Sequence, residues 1–338
     1  MTSRPFAFAA AVAAALAAAA CRAAPTGNEA ILTLLNSRAA GSPLAYAAAA
    51  RTVADAASAG GVLQRYLVAV VSRDADAPQV LRLPKAVRDA YLEESRPKLR
   101  LLAEKKNNPL AWYLLSMEDN DMGLLRKAAD LGNVQAMNAL GTYMLANVLE
   151  NPTTKSADEA VMKECFELFR RAAAEGDANG RNSYGICLQD GFGCKRDYSE
   201  AFNQFTLAAK ANHPEAINNL GRFHREGRVV PQDYAAALKC FEKSASLGCV
   251  WGQLNYASAL LLGEGAEPNP RRAVDLLESI ARKGNPDAME ILVKCYGEGL
   301  GGIRVNAHAA AVWKVRARAA RGDTNAAAWL EANGEKLL

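Results

Sequence analysis

Through the second half of this 338-residue chain the same residue types return every 36 positions. Tyr184, Leu220, Tyr256 and Leu292 form one such column, followed directly by Gly185, Gly221 and Ala257. Ala201, Ala237, Ala273 and Ala309 form a second, Phe205, Phe241 and Leu277 a third, and Gly191, Gly227, Gly263 and Gly299 a fourth. This periodicity constrains the fold more than any other property of the chain. A unit of this length cannot bury its apolar face alone, so copies must stack and share one continuous core. The expected fold class is therefore all-α, a helical solenoid.

The stretch from His213 to Gly248 shows how one unit is built. Pro214 suits the first turn of a helix, where its missing N–H is not needed, and Ala216, Leu220 and Phe223 follow at helical spacing. Gly227 stops that helix near Arg225 by supplying a left-handed residue. Asp233 is placed to cap a second helix whose stripe reads Ala237, Leu238, Phe241 and Ala245 before Gly248. The preceding unit repeats the scheme, with Asp197 and Glu200 spaced as a capping box. Another follows from Gly252 and another from Asn285 to Gly322. Asp323 to Asn333 then reads as one further first helix.

Upstream the period drifts. Asn133 to Gly176 is a 44-residue unit whose extra length, around Asn147 to Ser156, is expected to form a loop. Asn107 to Gly132 leaves room only for a short hairpin turning at Asp119 to Asp121. Residues 28–106 are expected to be helical and degenerate in repeat, with a junction at Gly60 and interruptions at Asp74 to Pro84 and at Pro97. The solenoid proper covers 107–333, with a tail at 334–338. One column, Ala111, Ala136, Gly180, Ala216, Gly252, Ala288 and Ala326, stays small throughout, as close helix packing requires.

Residues 1–20 read as a signal peptide: Arg4 precedes an Ala-rich apolar run from Phe6 to Ala20 that is too short and too weakly apolar to span a membrane. Cleavage after Ala20 leaves Cys21 as first mature residue, resembling a bacterial lipoprotein site, although Ala18 stands where Leu is usual. The expected location is the periplasm or the envelope through a lipid on Cys21; ordinary cleavage nearby and an uncleaved anchor are the alternatives. The net charge of +4 is spread over interspersed signs. No nucleic-acid footprint is expected, and membrane contact only through Cys21.

These landmarks resemble the Sel-one-like repeat family, relatives of the tetratricopeptide repeats. The family pattern is matched by Ala136, Leu140, Gly141 and Tyr143, by Gly191, Gly193, Asp197, Tyr198 and Ala201, by Ala208 and Ala209, and again by Asp233, Tyr234 and Ala237. Ala257 and Val293 depart from its Leu-Gly glycine, and Asn212 from its terminal glycine. The resemblance implies a right-handed αα superhelix that acts as a non-catalytic scaffold for protein or peptide partners, without cofactor. The alternative is a cell-wall-ligand binder or hydrolase using the repeat groove. Transferred by register, the tetratricopeptide rule that first helices line the concave side selects Asn179, Asn182, Gln189, Asn218, Arg222, Arg225, Trp251, Leu254 and Leu261 as exposed partner-binding positions, with packing of Trp251 and Leu254 against a neighbouring repeat as the alternative.

No constellation for catalysis emerges from the sequence. His213, His224 and His308 are scattered without metal-ligand spacing, and His213, at a helix start, is expected to be exposed. Beyond Cys21 the cysteines are Cys165, Cys187, Cys194, Cys240, Cys249 and Cys295, without paired CxxC motifs, so no metal site is expected. Their default role is small apolar core. Cys165 and Cys187, 11 residues either side of Gly176, form the candidate disulfide, since export allows bridges.

Overall fold

The computed structural model describes residues 50–55, 57, 62–72 and 81–333. The expected signal peptide over 1–20, Cys21, the junction at Gly60, the first part of the interruption from Asp74 and the tail at 334–338 lie outside them. Every regular element among the described residues is helical. Helix α1 (Val62–Val71) and helix α2 (Lys85–Lys106) lead into six hairpins. These pair α3 (Pro109–Asp119) with α4 (Met122–Asp130), α5 (Val134–Glu150) with α6 (Lys155–Ala174), and α7 (Ala178–Asp190) with α8 (Tyr198–Lys210). Then come α9 (Pro214–Glu226) with α10 (Tyr234–Ser246), α11 (Val250–Leu262) with α12 (Pro270–Arg282), and α13 (Pro286–Glu298) with α14 (Ala307–Ala320). Helix α15 (Thr324–Ala332) is a last first helix.

From α7 to α13 every helix has 13 residues, so the sequence period is also the period of the structure. Each first helix opens on a side chain that accepts the backbone N–H three residues on. Asn108, Asn133, Asp177, Asn285 and Asp323 do so through oxygen, and Cys249 through sulfur. The second helices are capped in the same way by Asp121, Thr154, Asp197, Asp233, Asn269 and Asn306. Such a cap contributes about 1 kcal/mol, which matters for helices of three to four turns.

Two compact units make up the chain, one ending at Ala216 and the other starting at Ile217. The main core of the first gathers Tyr66, Leu99, Tyr113, Leu125, Leu140 and Ala172. That of the second gathers Phe241, Leu260, Leu277, Leu292 and Trp313. Within each, the small residues act as spacers. A Cβ on Gly180 would stand 2.6 Å from Ala172 Cβ, and one on Gly252 would stand 2.3 Å from Ser244 Oγ. Helices α6 and α7, and likewise α10 and α11, therefore approach more closely than larger residues would permit.

The hairpin loops turn through left-handed residues. Gly193 and Gly265 approach backbone so closely that a Cβ would lie 2.2 Å from Met162 O and from Tyr234 O respectively. The equivalent place in the loop after α9 is held by Val229 at φ +67°, a left-handed β-branched residue that is half-exposed.

Three expectations change. The extra length at 147–156 is mostly helix, because α5 runs to Glu150 and α6 starts at Lys155 under a Thr154 cap, leaving only 151–154 as loop. Val148 is buried there, and Asp158 accepts from Thr153 N and Oγ1, so the longer helices are held at their tips. Pro97 does not interrupt α2. It lies on the solvent side, where water can take up the carbonyl its missing N–H leaves free, while Leu92, Ser95, Leu99 and Ala103 are buried on the opposite side. His213 is buried, for the reason given below.

Candidate protein-binding face

The first helices present the residues chosen by register, and the structure sorts them into two groups. Trp251, in the first turn of α11, is 59% exposed. Arg222 and Arg225 on α9 are partly exposed. Among the described residues Arg222 has only Glu226, one turn on at 3.9 Å, as an ion-pair partner. Arg225 stacks over the Phe241 ring at 5.4 Å and donates Nη1 to Asn255 Oδ1 at 3.3 Å. All three side chains keep part of their surface in solvent.

The other six do not stand exposed as expected: Asn179, Asn182, Gln189, Asn218, Leu254 and Leu261 are all buried. They lie within the packed interior instead of in solvent. Asn218 Oδ1 accepts from Asn255 Nδ2 at 2.8 Å, joining α9 to α11. Asn179 Oδ1 meets His213 Nε2 at 2.7 Å, and Gln189 Nε2 donates to Asp190 Oδ1 at 3.1 Å. Leu261 packs where a Cβ on Gly301 would stand 2.7 Å from its Cδ2, and Leu254 joins the core of the second unit.

A row of buried polar ties thus runs along successive first helices. Within the first unit Asn138 of α5 donates Nδ2 to Asp177 at the start of α7, at 2.6 Å, and Asn179 of α7 reaches His213. Within the second, Asn218 and Asn255 repeat the device. Buried amides must be hydrogen-bonded, and a pair between two helices fixes their register as well as their polarity. The amides expected to face a ligand face neighbouring first helices instead, as Asn218 and Asn179 show. The missed signal was the cap column: His213 occupies the place of Asn108, Asn133 and Asn285, so a buried acceptor role was legible there.

His213 performs that role through an imidazole. Its Nδ1 accepts from Ala216 N at 3.2 Å, which leaves Nε2–H to donate to Asn179. Burial pushes its pKa down to about 4, keeping the ring neutral, although Glu215 Oε2 lies 3.5 Å from Nδ1. Glu215 is itself pushed up by burial, which limits the charge it offers the ring. Burial also pushes the Asp177 carboxyl up to about 6.

Cys165 and Cys187 share a small apolar cluster with Phe169 but are free thiols, as are Cys194, Cys240, Cys249 and Cys295. Burial pushes both Cys165 and Cys187 up to about 12, which suppresses the thiolate needed for exchange. Among the described residues no group of three or more His, Cys, Asp or Glu side chains is placed to hold a metal. No described helix is long and apolar enough to cross a membrane.

The Sel1 repeat family model matches residues 122–133, 134–177, 179–213, 214–249, 252–285 and 286–313, more than half of the chain. Among curated relatives, the chitin synthase regulator of Saccharomyces cerevisiae is 28% identical over 40% of this chain and 21% of its own length. An exopolysaccharide production negative regulator of Rhizobium leguminosarum is 26% identical over 38% of this chain and 54% of its own. Cytochrome c oxidase assembly factor 7A of Xenopus laevis is 26% identical over 50% of this chain and 74% of its own. The chain thus spans about a fifth of the first relative and about half of the second. These relatives are named as regulators and as an assembly factor, not as enzymes.

Among solved structures, a Sel1 repeat protein from Oxalobacter formigenes superposes with a TM-score of 0.55 at 23% identity, over 69% of this chain and 96% of that one. A protective antigen of uropathogenic Escherichia coli displaying an SLR fold gives 0.52 at 21% identity, over 83% and 58%. Both share the helical-hairpin solenoid fold seen here. By its repeats, their caps and their spacing, the chain belongs to the Sel1 repeat family.

Proposed function

We propose that this protein is a non-catalytic adaptor of the bacterial cell envelope, which binds protein or peptide partners along the first helices of its hairpins. The observation that carries this reading is the accessible trio of Trp251, Arg222 and Arg225 on otherwise interlocked first helices. An exposed indole on α11 and guanidinium groups on α9 are side chains of the kind that anchor interfaces, in which the ring fills a partner's pocket and arginine takes carboxylates or backbone carbonyls. The relatives' names as regulators and assembly factor fit a protein that acts by holding others. The envelope assignment rests on the Ala-rich leader and on Cys21.

Affinity capture from an envelope extract, run beside a screen for cell-wall hydrolysis, tests the functional reading. A stoichiometric protein partner and no turnover are expected. Turnover of a glycan or peptide stem would favour the hydrolase alternative. Intact mass of the native protein tests the address: a chain starting at Cys21 or close to it, with or without a diacylglycerol increment, is expected, and a retained Met1 in cytosolic protein would overturn export.

A further inference from the structure

Asp177 is the one buried aspartate among the capping residues of the described helices, at 5% exposure. Its Oδ1 accepts from Gly180 N at 2.8 Å and from Asn138 Nδ2 at 2.6 Å. The cap itself needs no charge, since Asn133 and Asn285 accept the same N–H in the same position. The other aspartate caps are treated differently. Asp121, Asp197 and Asp233 are exposed, and Asp323 is held below the usual carboxylate range by Ala326 N–H and by Arg318 at 2.6 Å. Asp177 alone is buried without an ion pair among the described residues.

Its partner carries the complementary defect. Asn138 is 1% exposed, and its Oδ1 has no hydrogen-bond donor. A buried carboxylate without a cation and a buried amide oxygen without a donor both cost free energy. Here they belong to two groups already joined by one hydrogen bond, and a single proton relieves both.

We propose that Asp177 is a proton-binding site: on acidification its carboxylate takes up one proton from solvent, and the new O–H donates to Asn138 Oδ1, closing a two-hydrogen-bond acid–amide pair between α5 and α7. No other bond forms or breaks. The amide N–H that now donates to Oδ1 is retained, so the pair becomes reciprocal and neutral. The tie between two successive first helices tightens as the medium becomes more acidic.

The surrounding charges leave this site to solvation. Arg181, one turn along α7, favours the ionised form, but burial outweighs it and raises the carboxyl to about 6. Arg171 at the end of α6 is turned to Ala129 O at 3.2 Å, and Glu175 in the intervening turn is exposed. Helix α5 offers only neutral Gln135 and Asn138. His213, beyond Asn179, stays uncharged above about pH 4 and adds nothing in the interval concerned.

The test uses the full chain and the variant Asp177→Asn, which keeps the cap as Asn133 does. Carboxyl carbon NMR should show Asp177 titrating near 6 instead of at its ordinary 3.8. Asp177→Asn should be the more stable protein at pH 7.5, by a roughly hundredfold gap in the folding constant, and that gap should narrow about tenfold by pH 5 and close as the pH falls below the ordinary 3.8. Amide exchange at Gly180, corrected for intrinsic rate, should slow between pH 7.5 and 5.5 in the wild type and not in the variant. A midpoint at or below 3.8, a gap constant with pH, or the same exchange profile in both proteins would each overturn the proposal.

Discussion

A Cβ on Gly221 would stand 2.6 Å from Cε1 of Phe241, and the same conflict recurs between Gly185 and Phe205 at 2.7 Å and between Gly141 and Phe169 at 2.8 Å. The glycine that follows Leu140, Tyr184 or Leu220 is therefore the seat of the aromatic ring from its own hairpin's second helix. Where the ring is replaced by Leu277, register places Ala257 opposite it, so the departure from the pattern is a compensated one. Gly221→Ala gains about 1 kcal/mol of helix propensity and loses about 1–3 kcal/mol to overpacking. We expect a lower melting temperature for the single variant and partial recovery in Gly221→Ala/Phe241→Leu. Additive effects of the two changes in chemical denaturation would contradict the pairing.

Val229 is a β-branched residue held at φ +67°, where its register partners 36 residues away are Gly193 and Gly265. Such strain costs about 1–3 kcal/mol, offset in part by the greater chain entropy glycine brings to the unfolded state. Val229→Gly should raise the melting temperature by about 2–4 °C. A lower melting temperature would show that the loop is not strained.

His213 links stability to pH in the opposite sense to Asp177. Its folded pKa, about 4, lies below the ordinary 6.5, so its contribution is fully present above pH 6.5 and is lost as pH falls through 4. His213→Asn keeps the cap and removes the titration. In an Asp177→Asn background, which silences the opposing term, the parent should lose melting temperature steeply from pH 6.5 to 4, and adding His213→Asn should flatten that slope. Parallel curves would mean that the ring is not buried neutral.

Much of the architecture was legible because a repeat averages out local ambiguity: each cap, glycine and aromatic column was seen several times in register. Where copies ran out, reading by local rule failed. Asn147 to Ser156 had no second copy to show that longer helices, not a loop, absorb the insertion. Pro97 reads as a breaker unless its solvent-facing position is known. The face was harder. An Asn in a first helix looks the same in sequence whether it points to a ligand or to the next first helix, and only the pairs Asn218 with Asn255 and Asn179 with His213 decide it. Trp251 was chosen by the same register as the six buried residues, and only its exposure in the structure separates it from them.

The partner-binding account is tested most directly by the double variant Trp251→Ala/Arg222→Ala in quantitative crosslinking and affinity capture from envelope extract, with circular dichroism and melting recorded on the same preparation. We expect the fold and melting temperature to be unchanged, because Trp251 is exposed and Arg222 has only a surface ion pair, while the partner recovered by the wild type is lost at least tenfold, as removal of an interface anchor costing about 2 kcal/mol requires. Undiminished recovery of the same partner by the folded double variant would contradict the account and move the binding surface away from the first helices of the second unit.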